Sequence, residues 1–374
     1  MPSQTWTLTD VARGIRQDNF SITRHDLPGA AGAWRVSNRV LQGGLSEGVE
    51  LVEIDNGRMR LMVIPTRGMG IWRAVAADDQ TLGWRSPVRG PVHPGFVPVF
   101  DPSGLGWLEG FDELVVRCGL ESNGAPDFDS QGKLLYPLHG RIANRPAHYV
   151  EVTVDERART ITLRGVVEET RFHFQKLRLE VSVTTSFDSM AFTISDRVEN
   201  YGGTPAEMQM LYHINVGEPQ LGPGARLVAP IQTVALRGEE SSAGTEGWDT
   251  YGPAVAGADE QCYFAKLLGD ETGRTQVLLK NAEGTAGTAI GLNTNQLPCF
   301  TLWKNTVAPE DGYVTGLEPA TNYPNPRSFE AEHGRVIRLA PGETWSADVT
   351  VDWLTKGDEV NVAENAIRKL REQT

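Results

Sequence analysis

The chain has 374 residues, with 48 Asp and Glu against 35 Lys and Arg, a net charge of −13 and a pI near 5.1. That balance, without any Lys/Arg-rich run, excludes the basic face of a nucleic-acid binder. No window reaches the ~20 apolar residues that cross a bilayer, and the start Met1-Pro2-Ser3-Gln4-Thr5-Trp6 has neither the basic residues nor the apolar stretch of a secretory signal, so a soluble cytoplasmic protein is expected.

In chain order, a short helix is predicted from Thr9, its cap, to Gln17. Alternation of apolar and polar residues then predicts strands at 51–54 and 59–64, with Asp55-Asn56-Gly57 as the turn between them. The stretch from Trp84 to Asp129 has little periodicity and many Gly, Pro and aromatic residues; it is read as long, ordered loops with short strands lying over one sheet face. Alternation returns at 148–154, 160–167, 177–184 and 191–198, which predicts antiparallel strands with one buried face. Met208 to Asn215 alternates as a central strand should, with Met208, Met210 and Tyr212 on one face and Gln209, Leu211, His213 and Asn215 on the other. A strand over 313–317 ends at Glu318, another covers 344–351 after the turn Ala340-Pro341-Gly342-Glu343, and Val360 to Gln373 closes the chain as a helix with an apolar stripe of Val362, Ile367 and Leu370.

These elements predict an all-β protein of large antiparallel sheets with short terminal helices. With no low-complexity linker and no repeat, one domain is expected over 1–374: an N-terminal extension with the first strands over 1–50, and the C-terminal helix over 356–374. Forty glycines and 22 prolines fit the many loops this needs. Cys118, Cys262 and Cys299 are odd in number, widely spaced and without a CxxC pattern, so they are read as buried, reduced thiols.

Three short segments carry the chemistry. Leu138-His139-Gly140-Arg141 places an imidazole beside a guanidinium able to grip vicinal hydroxyls, with Arg145 close behind; a loop histidine bonded to backbone is the plainer reading. His213 and Asn215 share a strand face where a buried polar group needs partners, either each other or a ligand. Glu318 sits between Leu317 and Pro319, where partial desolvation raises a carboxylate towards the range of a general base, although a solvated strand-end Glu fits as well. Thr321-Asn322 follow. Of the tryptophans near loops (Trp72, Trp84, Trp107, Trp248 and Trp303), Trp303, followed by Lys304, is best placed to stack on a sugar. No GxSxG, P-loop or GxGxxG pattern is present, and no HxH or HExxH spacing supports a metal site built from His139 and His213.

In order, these blocks resemble the aldose 1-epimerase, or galactose mutarotase-like, superfamily. The closer resemblance is to an uncharacterised branch with an Arg-Gly-Met segment (here Pro65-Thr66-Arg67-Gly68-Met69), a His-Gly-Arg-Ile segment and a Leu-Glu-Pro segment, and it runs from about Leu51 to about Val351. The resemblance implies a β-supersandwich with a carbohydrate site on a concave face, no cofactor, and interconversion of α and β anomers. Carried onto this chain, Glu318 is the general base, His213 the general acid and His139 a sugar-holding histidine; Arg67 or Arg141 takes the arginine role. The segment after His213 lacks the expected aromatic-rich turn, and only Asp249 offers itself as the sugar-binding aspartate, departures that bear on the substrate more than on the reaction. The alternatives are a non-catalytic carbohydrate-binding protein, or a lyase or epimerase on an acidic or keto sugar neutralised by Arg67, Arg141 or Arg145.

Overall fold

The computed structural model describes residues 3–27, 32–238 and 245–372. The alternating segments form a meander of Tyr149–Asp155, Thr160–Thr170, Lys176–Ser186 and Ala191–Asn200. Their registers place Val152, Leu163, Val183 and Ile194 in one row, which Val349 extends. All five are fully buried, and cross-strand rows of this kind are the unit that holds a sheet together.

This meander belongs to a ten-stranded sheet, which faces a second sheet of thirteen strands. Both contribute to one apolar core that runs from Leu8 to Trp353 in sequence, the arrangement of a large antiparallel sandwich. Two buried polar ties cross between the sheets. Arg117 donates from Nε (2.5 Å) and Nη2 (2.9 Å) to the two carboxylate oxygens of Asp196. Asn56 Nδ2 donates to Thr185 Oγ1 and to the carbonyls of Ser186 and Ser189. The next residue, Gly57, has φ +94°, and a Cβ there would lie 2.5 Å from Ala33 O, so the turn read from Asp55-Asn56-Gly57 admits only glycine at this point.

Three expectations are corrected. Residues 9–17 are not a helix: Gln4–Asp10 pairs with Tyr149–Asp155 as a strand, Val11–Arg13 is a single 3-10 turn, and Ile15–Arg16 pairs back on the first strand. Adding an edge strand satisfies backbone groups that a short isolated helix would leave bare. Within the supposed loop region, Val115–Leu120 is a fully buried strand; enclosed on both faces, it has no alternation to read. The C-terminal helix, Gly357–Glu372, buries Val360, Ala363 and Ile367, whereas Val362 is exposed.

The remaining part of 84–129 lies over the outer face of the thirteen-stranded sheet. Trp107 and Phe111 come down on Val116, Cys118, Leu211 and Ala320, making a second, smaller core. The three cysteines are free and buried. No helix among the described residues is long and apolar enough to cross a membrane.

Candidate active site

The strand Ala206–Val216 turns Met208, Met210, Tyr212 and Ile214 into the main core, which sends His213 to the opposite face. Its antiparallel neighbour is Val314–Ala320, in a register that pairs Leu211 with Ala320 and Ile214 with Leu317 and so sets His213 across from Glu318. The two side chains meet, with His213 Nε2 3.1 Å from Glu318 Oε1. Gly316, two residues before Glu318 on the same face, makes this contact possible: a Cβ there would overlap Glu318 Oε1 and lie 3.0 Å from His213 Cε1.

Hydrogen bonding fixes the tautomer of His213. Asn215 Nδ2 donates to the carbonyls of Glu113 (2.9 Å) and His213 (3.3 Å), so Asn215 Oδ1, 2.6 Å from His213 Nδ1, accepts the Nδ1 proton. Nε2 is then the lone-pair nitrogen of a neutral ring. Burial, followed by the neighbouring His139, pushes His213 down to about 3. Burial, followed by the negative charge of Glu260, pushes Glu318 well above the usual carboxylate range, against the opposing charge of Arg237. The two shifts have one cause and opposite signs: burial favours the protonated carboxyl of Glu318 and the neutral imidazole of His213. The 3.1 Å approach lacks hydrogen-bond alignment, and Glu318 Oε1 is a buried atom without a hydrogen-bond partner. Such an atom costs on the order of 1–3 kcal/mol and is what a group reserved for a ligand looks like.

A cavity of about 270 Å³ opens above the pair, close to the lower end of the ~300–1,000 Å³ usual for small-molecule sites. Phe111 and Trp303 stand edge-on to His213, with ring centroids 5.1 and 5.4 Å away. Trp107 lies 4.5 Å from the His139 ring, and the two imidazoles are 5.4 Å apart. His139 has φ +57°, and its Nδ1 donates to Asn123 O at 2.9 Å, leaving Nε2 as an acceptor. Burial pushes this ring down to about 4. At the mouth, Arg237 pairs with Glu260 at 3.0 Å, and Glu260 also accepts from Trp303 Nε1 at 2.7 Å.

His139, His213, Trp303 and Glu318 thus line one cavity, with Asn215 directly behind His213. The other predicted residues lie elsewhere. Arg67 is enclosed, donating from Nε to Glu113 (2.6 Å), from Nη1 to Val92 O and Asn144 Oδ1, and from Nη2 to Gly110 O; it braces the segment carrying Phe111 and is corrected to a structural residue. Arg141 pairs with Glu121 and Glu169, and Arg145 is not in the cavity lining. The amine of Lys304 is capped by the carbonyls of Gly247, Trp248 and Thr250, and Asp249 pairs with Arg226. Asn322 exchanges amide hydrogen bonds with Asn123, and so supports His139 from behind without reaching the cavity. Arg237 and Glu260 escaped the sequence reading because nothing local marks them; only the pairing of Cys262 with Trp303 brings them to the site. Among the described residues no group of three His, Cys, Asp or Glu is placed to hold a metal ion.

A family described as a domain of unknown function (DUF4432) matches residues 46–352. The chain belongs to this family. Among solved structures, a DUF4432 chain of this kind is similar over 99% of its length, at 35% identity and TM-score 0.94, to 96% of a protein from Klebsiella pneumoniae described as a "putative aldose 1-epimerase". Two more distant likenesses show the fold. A galactose mutarotase-like protein from Clostridium acetobutylicum is 15% identical with TM-score 0.60, covering 86% of this chain and 98% of that one. A galactose mutarotase related enzyme from Lactobacillus acidophilus is 13% identical with TM-score 0.56, covering 82% and 98%. The DUF4432 chain therefore has the galactose mutarotase-like fold. No curated protein matches it in sequence.

Proposed function

We propose that this protein is an aldose 1-epimerase-like isomerase that interconverts the α and β anomers of a small free aldose or modified aldose. The observation that carries the reading is the His213–Glu318 pair, 3.1 Å apart at the floor of a monosaccharide-sized cavity. The name given to the 35% identical Klebsiella protein supports the same reading.

The proton balance works as follows for a pyranose. Once the sugar is seated, the carboxyl proton of Glu318 passes to His213 Nε2, giving a carboxylate and an imidazolium; the charge of Arg237 favours the carboxylate. Glu318 then takes the proton of the anomeric hydroxyl while His213 protonates the ring oxygen. The bond from C1 to the ring oxygen breaks, leaving an aldehyde and a C5 hydroxyl. The pair is now neutral again, the form that burial favours, so desolvation stabilises the enzyme around the open-chain intermediate. After rotation about the C1–C2 bond, Glu318 returns its proton to the aldehyde oxygen as His213 accepts the C5 hydroxyl proton, and the ring closes to the other anomer. No cofactor takes part in this sequence of steps.

The test is exchange NMR on aldoses at anomeric equilibrium, with and without protein. The expected result is acceleration of at least one sugar and its loss in Glu318→Gln. Full acceleration in Glu318→Gln would sink the mechanism, and binding without acceleration in the native chain would favour the non-catalytic carbohydrate-binding reading. The acidic-sugar reading relied on Arg67, Arg141 or Arg145, none of which lines the cavity; the guanidinium that does is that of Arg237, paired with Glu260.

A further inference from the structure

Among the aromatic rings around the reacting pair, Trp107 keeps an unspent polar atom. The 3-10 turn Gly106–Gly110 lays its indole, 1% exposed, over Val116, Cys118, Leu211 and Ala320. The same ring lines the cavity, and its Nε1 is a buried donor with no hydrogen-bond partner among the described residues. The neighbouring indoles differ: Trp303 Nε1 donates to Glu260, and Trp84 Nε1 donates to Glu113 O at 3.1 Å. An unpaired buried N–H costs on the order of 1–3 kcal/mol, a cost that a phenyl ring over the same neighbours would not carry. Packing thus accounts for an aromatic ring at 107 but not for its N–H. The sheet side of the ring meets apolar side chains, so the partner it lacks is one that enters from the cavity.

The matching group is on His139. The two ring centroids are 4.5 Å apart, at an interplanar angle of 63°. His139 Nδ1 is engaged by the Asn123 carbonyl, so Nε2 carries the lone pair of the neutral ring. Two adjoining rings on the cavity wall therefore offer one N–H in need of an acceptor and one nitrogen able to accept. A hydroxyl group satisfies both at once, its oxygen taking the indole proton and its own proton going to the imidazole. A carbonyl, ether or carboxylate oxygen satisfies only the first, and an ammonium group only the second.

We propose that Trp107 is a substrate-binding residue, and that its Nε1–H and His139 Nε2 together hold one hydroxyl group of the sugar. This assignment takes from the anomer-exchange reading only that the ligand is a free sugar. A sugar lacking that hydroxyl leaves a donor and an acceptor unpaired in a dry site, so the deoxy analogue is rejected by more than one ordinary hydrogen bond is worth.

The experiment follows the Trp107 Nε1–H signal by NMR in protein labelled with 15N at its tryptophans, the signal being identified by magnetisation transfer to the His139 ring. D-glucose, D-galactose, D-mannose and D-xylose are each titrated in, with anomer exchange read in the same samples. For the sugar that binds most tightly, the monodeoxy derivatives follow, in the native chain and in Trp107→Phe. The signal is expected to move downfield on saturation, and one monodeoxy derivative to bind at least tenfold more weakly than its parent. In Trp107→Phe the parent's KM should rise about tenfold, and the penalty for that one derivative should shrink while those at the other positions stay; a ring that matters only for packing would change all positions alike. Accelerated exchange of a sugar that leaves the Trp107 signal in place would overturn the proposal and leave the epimerase reading standing. The shift without accelerated exchange would sink the epimerase reading and uphold the hydroxyl contact. Neither shift nor exchange with any of the four sugars would overturn both.

Discussion

Replacing His213 with Gln tests whether the ring is held neutral in the folded protein, by a measurement independent of any sugar. The imidazole is 4% exposed, and its folded value of about 3 stands far below the ordinary 6.5. The unfolded chain therefore binds a proton below pH 6.5 that the folded chain refuses until about pH 3, so stability is lost as the pH is lowered across that window. Each pH unit inside it is worth about 1.4 kcal/mol, which makes the loss between pH 8 and pH 5 about 2 kcal/mol. Asp112, pushed up to about 8 by burial and by the Glu113 charge, slopes the opposite way but is common to both chains and cancels in the comparison. The assay is denaturant unfolding at pH 8, 7, 6 and 5 for the native chain and for His213→Gln. The native chain should lose about 2 kcal/mol more than the variant over that range. Parallel stability curves would refute the neutral ring, and with it the proton transfer from Glu318 to His213 Nε2.

Other expectations follow from the same geometry. Gly316→Ala should lower the anomer-exchange rate about a hundredfold by displacing the Glu318 carboxyl, with little change in melting temperature; NMR and calorimetry would read the two effects separately. Arg67→Leu leaves the Glu113 charge buried without its partner and should cost about 3–5 kcal/mol in denaturant unfolding, with much of the loss recovered in Arg67→Leu/Glu113→Leu. The activity profile should decline on the alkaline side as the Glu318 carboxyl loses its proton. Because Glu260 helps raise Glu318, Glu260→Gln should move that limb to lower pH; a limb that stays in place would show that Glu318 does not set it.

The sequence shows its sheets wherever one strand face is buried and the other is wet, because the two-residue period then appears in the residues themselves. The meander from Tyr149 to Asn200 and the face of His213 were legible for that reason. Val115–Leu120 was not, since a strand enclosed on both sides has no polar face to alternate with. The site followed the same division. Residues that sit opposite each other on neighbouring strands, His213 and Glu318, stood in segments distinctive enough to be noticed. The arginines misled because a guanidinium in a conspicuous segment looks the same whether it faces a ligand or an internal carboxylate. For Arg67 the answer lies in Val92, Gly110 and Glu113, residues that only the fold brings to it. Arg237 and Glu260 failed in the opposite sense: they are ordinary surface charges locally, and reach the cavity through the pairing of Cys262 with Trp303.

The hydrogen bonds between Asn123 and Asn322 join residues 199 positions apart, and His139 leans on the first of them. Two residues past the strand bearing Glu318, Val314–Ala320, comes the residue that steadies the far side of the cavity. During synthesis, neither histidine has its full surroundings until the chain has grown past residue 322, and the closing contacts are among those that cost most loop entropy to form. The pocket should accordingly mature late in folding. Refolding monitored at the Trp303 and Trp107 indoles should lag behind the appearance of sheet signal from the early-paired meander.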